Sequence, residues 1–367
     1  MLKSLRGKLM IIIGVFVLIL ITSSLFLLYN QSKNILKENI NESAIRQVNN
    51  NAKIISNWLA GIEAQISNLS KTESVKKMEW EFQEEMLSDI ADSHEYIQGL
   101  YVADINGDYQ ITSGEGGNIS DRPYFQKAMK SGGNIYSSPI ISKATGDQIV
   151  VIGSTIVREN ETVGFIATTI NLEYLQDLIK DMKIAGHGNG WLIDNEKRTI
   201  AHPTTEYLGD KSILEAGNQE FNNIANKMVR GESGISNYEL ENTKKMMAYA
   251  PIEVTGWSVA IGAETQEILS PLNVIRQSSL LIGVISILVG LGIAYFIANY
   301  IAKPIKAVTD IITKISNFNL EDNNSHKFTK YLDRNDEIGR ITNSVTKMQS
   351  NFIKIIKITK PNFRKTT

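Results

Sequence analysis

The sequence contains no cysteine in its 367 residues. That excludes disulfide frameworks, thiolate zinc sites, cysteine-held iron–sulfur clusters and thiol nucleophiles, and leaves the redox compartment open. Excess charge of one sign is missing too: 38 Lys and Arg face 39 Asp and Glu, giving a net charge of -1 and no electrostatic footprint for nucleic acid. Histidine is scarce, and no two of His94, His187, His202 and His326 share the i, i+3 or i+4 spacing of a helical metal pair. Gly186-His187-Gly188-Asn189-Gly190 lacks the Lys-Ser/Thr of a phosphate loop and leads into a strand, so it reads as a connection. No Ser/His/Asp or paired-carboxylate motif is recognisable. The expectation is a non-enzyme with no cofactor and no metal.

What the sequence does have is two long apolar runs. Residues 9–32 and 277–302 carry no charge, while the chain between them is ordinarily polar. About 20 helical residues match a hydrocarbon core of ~30 Å, and both runs exceed that. The first run follows Lys3, Arg6 and Lys8, as a signal peptide does, but its apolar core is too long for one and no small-residue cleavage site follows it. It reads as an uncleaved anchor. Lys303, Lys306 and Lys314 follow the second run, so the positive-inside rule places both termini in the cytoplasm and residues 33–276 outside. Neither span holds an ionisable residue, which argues against a transport pathway. The layout is that of a transducer in the cell membrane. Its expected segments are a cytoplasmic start (1–8), span one (9–30), an external domain (31–276), span two (277–300), a cytoplasmic relay (301–355) and a basic tail (356–367).

From residue 31 to about 86 the spacing of Ile54, Ile55, Trp58, Leu59, Ile62, Ile66 and Leu69 predicts a long amphipathic helix rising from the membrane. Strand-like runs follow at 97–102, 109–113, 148–157 and 164–170, then at 191–194, 198–202, 236–239, 244–251 and 257–263. Asp104-Ile105-Asn106-Gly107-Asp108 superficially resembles a calcium loop, but its glycine comes two positions too early; Asn106-Gly107 reads as a hairpin turn. Two α/β units in series are expected, one at about 90–182 and one at about 183–270.

Several motifs within them carry a family resemblance: Asp121-Arg122-Pro123-Tyr124-Phe125, then Tyr136-Ser137-Ser138-Pro139 and Gly190-Trp191-Leu192-Ile193-Asp194, and finally Ala201-His202-Pro203 and Thr255-Gly256-Trp257-Ser258. In order and spacing this resembles the double-Cache sensor domains of bacterial chemoreceptors, over roughly residues 33–270. The resemblance implies an α+β fold with two PAS-like Cache units on a long N-terminal helix. It also implies a small-molecule site in the membrane-distal unit.

The residues admit two readings of Asp121-Arg122-Pro123. Ser120 or Asp121 caps a short helix with Pro123 in its first turn, which leaves Arg122 unexplained. Its planar fork suits a carboxylate. In the amino-acid-binding branch of the family, an arginine here holds the ligand carboxylate and the aromatic pair beyond it packs on the ligand, which carries over to Arg122, Tyr124 and Phe125. That branch also cages the ligand ammonium with two tyrosines and two aspartates, and their positions fall here on Gly117, Ile140, Ser142 and Thr169. The cage is missing, and a buried ammonium without a charge partner is costly. The expected ligand is therefore small and anionic or neutral, not a zwitterionic amino acid, anchored by Arg122 with Tyr101 or Tyr136 nearby.

After the second span, Ile301, Ile305, Val308, Ile312 and Ile315 form one heptad seam, and Ile338, Ile341, Val345, Met348, Phe352 and Ile355 form another. The polar connector at 317–335 is too long for a tight turn, so parallel helices are expected, and two short helices cannot bury both seams alone. A homodimeric four-helix bundle follows. With Pro304 opening the first helix and Asp336-Glu337-Ile338-Gly339 opening the second, the segment resembles a HAMP relay, whose signal-relay positions are Pro304, Glu337 and Gly339. A glycine often found at the end of its first helix is replaced by Phe318.

The chain ends soon after the second seam, which suggests the input half of a methyl-accepting chemotaxis receptor without its kinase-control hairpin. Contact with a chemotaxis kinase and coupling protein is then expected only if a signalling domain is supplied elsewhere. The alternative is the input half of a Cache-HAMP sensor histidine kinase or diguanylate cyclase lacking its enzymatic domain. A hairpin, kinase or cyclase encoded downstream would separate the two.

Overall fold

The computed structural model describes residues 4–240, 242–317 and 330–359. The chain divides into two compact units, Lys33–Asn273 and the pair Met1–Ser32 with Val274–Thr367.

Helix α1 (Leu5–Leu69) runs without a break through the first apolar run and the amphipathic stretch after it. Within the sensor unit its buried residues are Ile40, Ala44, Val48, Ala52, Ile55, Leu59, Ile62 and Ile66, one stripe at helical spacing. Ile54, expected in that stripe, is 63% exposed. The helix also ends well short of residue 86. The Ser70 hydroxyl donates to the Ser67 carbonyl at 2.9 Å and the Thr72 hydroxyl to that of Leu69 at 2.8 Å, so side chains take over carbonyls that another helical turn would have used. The chain continues through α2 (Glu73–Lys76), a 3₁₀ turn at Trp80–Phe82, and α3 (Glu84–Asp92).

Two antiparallel sheets follow. The distal one has strands β1 (Ile97–Asp104), β2 (Asp108–Ile111), β3 (Gly117–Asn118), β4 (Asn134–Tyr136), β5 (Ile140–Ile141), β6 (Gln148–Arg158) and β7 (Glu161–Asn171), with α4 (Pro123–Ser131) before β4. Its order is β3-β2-β1-β7-β6-β4, with β5 also on β6. After α5 (Leu172–Lys180) come β8 (Asn189–Ile193), β9 (Thr199–Ala201), α6 (Ser212–Ala216), α7 (Gln219–Val229), β10 (Gly234–Leu240), β11 (Thr243–Ile252) and β12 (Trp257–Glu264), then α8 (Thr265–Ile268). The proximal order is β10-β11-β12-β8-β9. The expected hairpin at Asn106-Gly107 joins β1 to β2: Gly107 has φ +86°, and the Asp104 carboxylate accepts from the N–H groups of Asn106 and Asp108 at 2.9 and 3.0 Å.

Side chains alternate across a strand, and here both faces of each sheet are buried. Leu100, Val102, Val150, Ile152 and Ile166 of the distal sheet join Leu192, Ala248, Val259 and Ile261 of the proximal sheet in one continuous core with the α1 stripe. The opposite faces form separate clusters. Tyr101, Val151 and Phe165 pack with α4 in the distal unit, and Trp191, Met247 and Tyr249 pack with α7 in the proximal unit.

In the second unit, α1 and α9 (Pro271–Ser316) are each long and apolar enough to cross a membrane. Small residues bring them close. A Cβ at Gly283 would lie 2.7 Å from Leu25, and one at Gly290 2.5 Å from Val17. Pro304 lies inside α9 and does not open a helix; it leaves the Tyr300 carbonyl four residues back without its helical N–H. Helix α10 (Glu337–Thr359) does begin at the Asp336-Glu337-Ile338-Gly339 motif. Its cap is Asp336, whose carboxylate accepts from the Gly339 N–H at 3.1 Å. Arg334 donates to that same carboxylate at 3.0 Å and stacks 4.2 Å over the Tyr300 ring. Gly339 is required by close approach, since a Cβ there would sit 1.8 Å from the Arg334 carbonyl oxygen. Glu337 is an exposed first-turn acid. Phe318 and residues 360–367 lie outside the described residues.

Of the two seams, Val308, Ile315 and Val345 are buried against Ile311 and Leu332. Much of the rest is open, with Ile312 43% exposed, Ile341 47% and Phe352 41%, while Ile305 and Ile338 are half-buried.

Candidate functional site

The distal pocket lies between the β1-β7-β6 face and the α4 and β5 segments covering it. Period 2 places Tyr101, Val151 and Thr169 on the pocket side of their strands, while Leu100, Val102 and Ile152 belong to the shared core with α1. Tyr101, Arg122, Tyr124, Ile140, Ser142 and Thr169 are brought together around a cavity of about 30 Å³, room for little more than a water molecule. Two expected residues are elsewhere. Phe125 is buried behind the pocket, edge-on to Phe165 at 5.9 Å. Tyr136 points the other way: its hydroxyl donates to Glu63 of α1 at 2.6 Å, and its ring meets Trp257 at 6.2 Å. The register of β4 on β6 decides this, because Tyr136 pairs with Ile152, a residue of the α1 face.

Arg122 occupies the cap position of α4 with extended backbone (φ -80°, ψ 126°) and Pro123 begins the helix. Neither Ser120 nor Asp121 caps it, contrary to the bland reading of the motif. The Ser120 hydroxyl bonds Asn118. The Asp121 carboxylate accepts from Lys143 at 2.6 Å, and the Lys143 ammonium holds it below the usual carboxylate range. Arg122 donates to the Ile141 carbonyl at 2.9 Å, fastening β5 over the pocket. Among the described residues it makes no ion pair, although the neighbouring Asp121 carboxylate feels its charge.

Inside, the Tyr101 hydroxyl donates to that of Tyr124 at 3.2 Å. Burial, reinforced by Tyr124, pushes the Tyr101 phenol well above its usual range, and burial raises Tyr124 and Tyr109 as well. The Ser142 hydroxyl is engaged by the Thr145 N–H at 3.2 Å in the β5–β6 turn. Tyr109 and Lys143 are site residues that the motifs do not reveal. Tyr109 stands where Gly117 leaves space: a Cβ on Gly117 would lie 3.1 Å from its ring. The pocket lining contains Arg122, Lys143 and three tyrosines but no carboxylate.

Buried tyrosines give the sensor unit an alkaline limit. Tyr101 and Tyr136 are held above the ordinary value near 10, and burial pushes Tyr238 up to about 12. Above pH 10 the unfolded phenols ionise first, so the folded chain binds more protons and stability falls with pH. Urea midpoints measured between pH 8 and 11.5 are expected to hold to about pH 10 and then drop. A midpoint that rises through this window would contradict the burial of these phenols.

Two antiparallel sheets on one long helix, with a pocket under the distal sheet, define a mixed α/β domain joined to two candidate membrane helices. Residues 30–272 match the Cache domain, and the chain belongs to that family. It is 26% identical over 231 residues to the methyl-accepting chemotaxis protein McpB of Bacillus subtilis, covering 63% of this chain and 32% of McpB. It is 24% identical over 370 residues to a probable methyl-accepting chemotaxis protein of Bacillus thuringiensis subspecies konkukian, covering 96% of this chain and 52% of that protein. The chain thus spans about half or less of the length of these relatives. Among solved structures, the ligand-binding domain of the Pseudomonas aeruginosa chemoreceptor PctB, in complex with L-arginine, aligns with a TM-score of 0.54 at 18% identity, over 63% of this chain and 97% of that one. That of the Pseudomonas fluorescens chemoreceptor CtaA, in complex with L-isoleucine, gives 0.54 at 17%, over 65% and 98%. The extracellular domain of a histidine kinase, mmHK1S-Z3, gives 0.55 at 15% identity, over 63% and 97%. The fold alone therefore does not separate receptor from kinase, whereas the sequence relatives are chemotaxis proteins.

Proposed function

We propose that the chain is the sensing and relay portion of a methyl-accepting chemotaxis receptor, with a small anionic or neutral ligand in the distal pocket. The observation that carries the ligand class is the lining: an unpaired Arg122 at the mouth, buried hydroxyls within, and no acidic residue to receive an ammonium. PctB and CtaA were solved with amino acids. The resemblance to the amino-acid-binding branch puts an ammonium cage at Gly117, Ile140, Ser142 and Thr169, none of which carries the charge it needs.

Both termini are read as cytoplasmic, with residues 301–355 a HAMP relay that completes its core in a homodimer. The half-open seam supports this, since Ile312, Ile341 and Phe352 are left for a second copy. Coupling to a chemotaxis kinase and coupling protein is part of this reading only if a signalling domain is supplied elsewhere. The histidine kinase reading rests on the sensor fold, and the chemotaxis relatives outweigh it.

Titration calorimetry of the full chain in lipid nanodiscs with a panel of small organic acids tests the ligand class. At least one acid is expected to bind, and Arg122→Ala is expected to weaken it about tenfold or more, as loss of a charge-assisted hydrogen bond does. An acid whose affinity is unchanged by Arg122→Ala argues against this anchor. The relay is tested separately: single cysteines at Ile305 and Ile312 should cross-link two chains in membranes, and failure of both removes support for the dimeric bundle.

A further inference from the structure

The proximal unit has a larger cleft than the distal one, about 460 Å³, within the range of small-molecule sites. Its floor is the β10-β11-β12-β8 face turned away from α1. Three of its residues form one row across neighbouring strands, because Tyr238 pairs with Lys245 and Lys245 with Glu264. Directly paired residues share a face, and all three line the cleft. The next row on that face contains Met247 and Gly262, and the one after it leads to Ala260 and Trp191. Over this far end lies Phe221 of α7, stacked on Trp191 at 5.0 Å. The cleft is thus polar at one end and aromatic at the other, with a glycine between.

The polar end is not satisfied internally. Lys245 and Glu264 sit opposite one another on adjacent strands, yet among the described residues neither makes an ion pair or side-chain hydrogen bond. The Tyr238 ring is buried, while its hydroxyl, which has no hydrogen-bond partner among the described residues, opens into the cleft. It leans over Gly262, where an added Cβ would lie 3.3 Å from it. His202 adds a donor in the tautomer whose Nδ1 accepts from the Thr204 N–H at 3.0 Å, since the proton then stands on Nε2. At the rim, Glu267 faces His187 at 3.6 Å.

We propose that this cleft is a second small-molecule site, and that it takes a zwitterion carrying a large apolar side chain. The ligand carboxylate meets Lys245, its ammonium meets Glu264, and the Tyr238 and His202 donors complete the polar end. The apolar body crosses Gly262 and Met247 to reach Trp191 and Phe221. A simple anion is disfavoured by Glu264, and a simple cation by Lys245. This site is independent of Arg122 and of the ligand class assigned to the distal pocket.

The probe is L-phenylalanine, titrated calorimetrically into the full chain in nanodiscs beside 3-phenylpropanoate, which lacks the ammonium, and phenethylamine, which lacks the carboxylate. L-phenylalanine is expected to bind and each analogue to bind at least about tenfold more weakly. Lys245→Met and Glu264→Gln, both at partly exposed positions, are each expected to weaken L-phenylalanine by a similar factor, while Arg122→Ala leaves it unchanged. A photoreactive diazirine leucine needs no substitution and should label peptides within 188–264. No heat from L-phenylalanine, equal affinity for 3-phenylpropanoate, or labelling confined to residues 101–169 would overturn the proposal. Loss of binding in Arg122→Ala alone would assign the amino acid to the distal pocket instead, and so overturn both readings separately.

Discussion

Truncating Leu59 to alanine should destabilise the sensor unit by about 2–5 kcal/mol. Leu59 is fully buried on α1, in the core that contains residues of both sheets. Removing its side chain opens a cavity that cannot collapse easily, because sheet strands and a long helix meet there. The neighbouring Ile54, 63% exposed, is the control, and its replacement by alanine should stay within about 0.5 kcal/mol. Urea unfolding read by tryptophan fluorescence measures both, since Trp58 on the same helix stacks on Tyr174 at 5.5 Å. One shifted transition is expected, because the two sheets share this core. Two separate transitions, only one of them moved, would show that the sheets fold independently.

A side chain at Gly153 should do comparable damage by the opposite route. A Cβ there would lie 2.1 Å from the tip of the Phe165 ring and 2.8 Å from the Ala167 Cβ. Phe165 is fully buried, with Tyr101 and Tyr124 at 6.2 Å and Phe125 at 5.9 Å. It can yield only toward the residues that form the distal pocket. Gly153→Val should therefore destabilise by about 1–3 kcal/mol or more through overpacking, and abolish binding at the Arg122 site as well. Gly153→Ala combined with Phe165→Leu should recover much of the stability lost by Gly153→Ala alone, a coupling expected only of residues in contact. Denaturant midpoints of the variants decide it, and a Gly153→Val chain as stable as its parent would mean that Phe165 has room the structure does not show.

The long strands were legible because β6 and β7 are continuous apolar runs, as strands buried on both faces must be. The strands β3, β4 and β5, two or three residues each, are too short for periodicity to register. The α1 stripe was legible from its spacing, but its end was not: Val75 and Leu87 continue the apolar pattern after hydroxyls at Ser70 and Thr72 have closed the helix. Arg122, Tyr124 and Tyr101, expected together from motif and position, do line one cavity. Tyr136 was misplaced because its side depends on how β4 pairs with β6, a long-range fact. Lys143 and Tyr109 reach the pocket only through folding, one through a hairpin that doubles back and the other through space left by a glycine 8 residues away in sequence (117 − 109). Asp336 stood in the visible motif, yet its capping role became apparent only from the Gly339 N–H it receives.

Because strand residues alternate between a common spine and two private chambers, chemical selectivity and structural integrity are written on different letters of the same strands. Tyr101, Thr169 or Lys245 can be exchanged without disturbing Leu100, Ile170 or Met246 beside them. The lining of each pocket can thereby change while the shared core stays as it is.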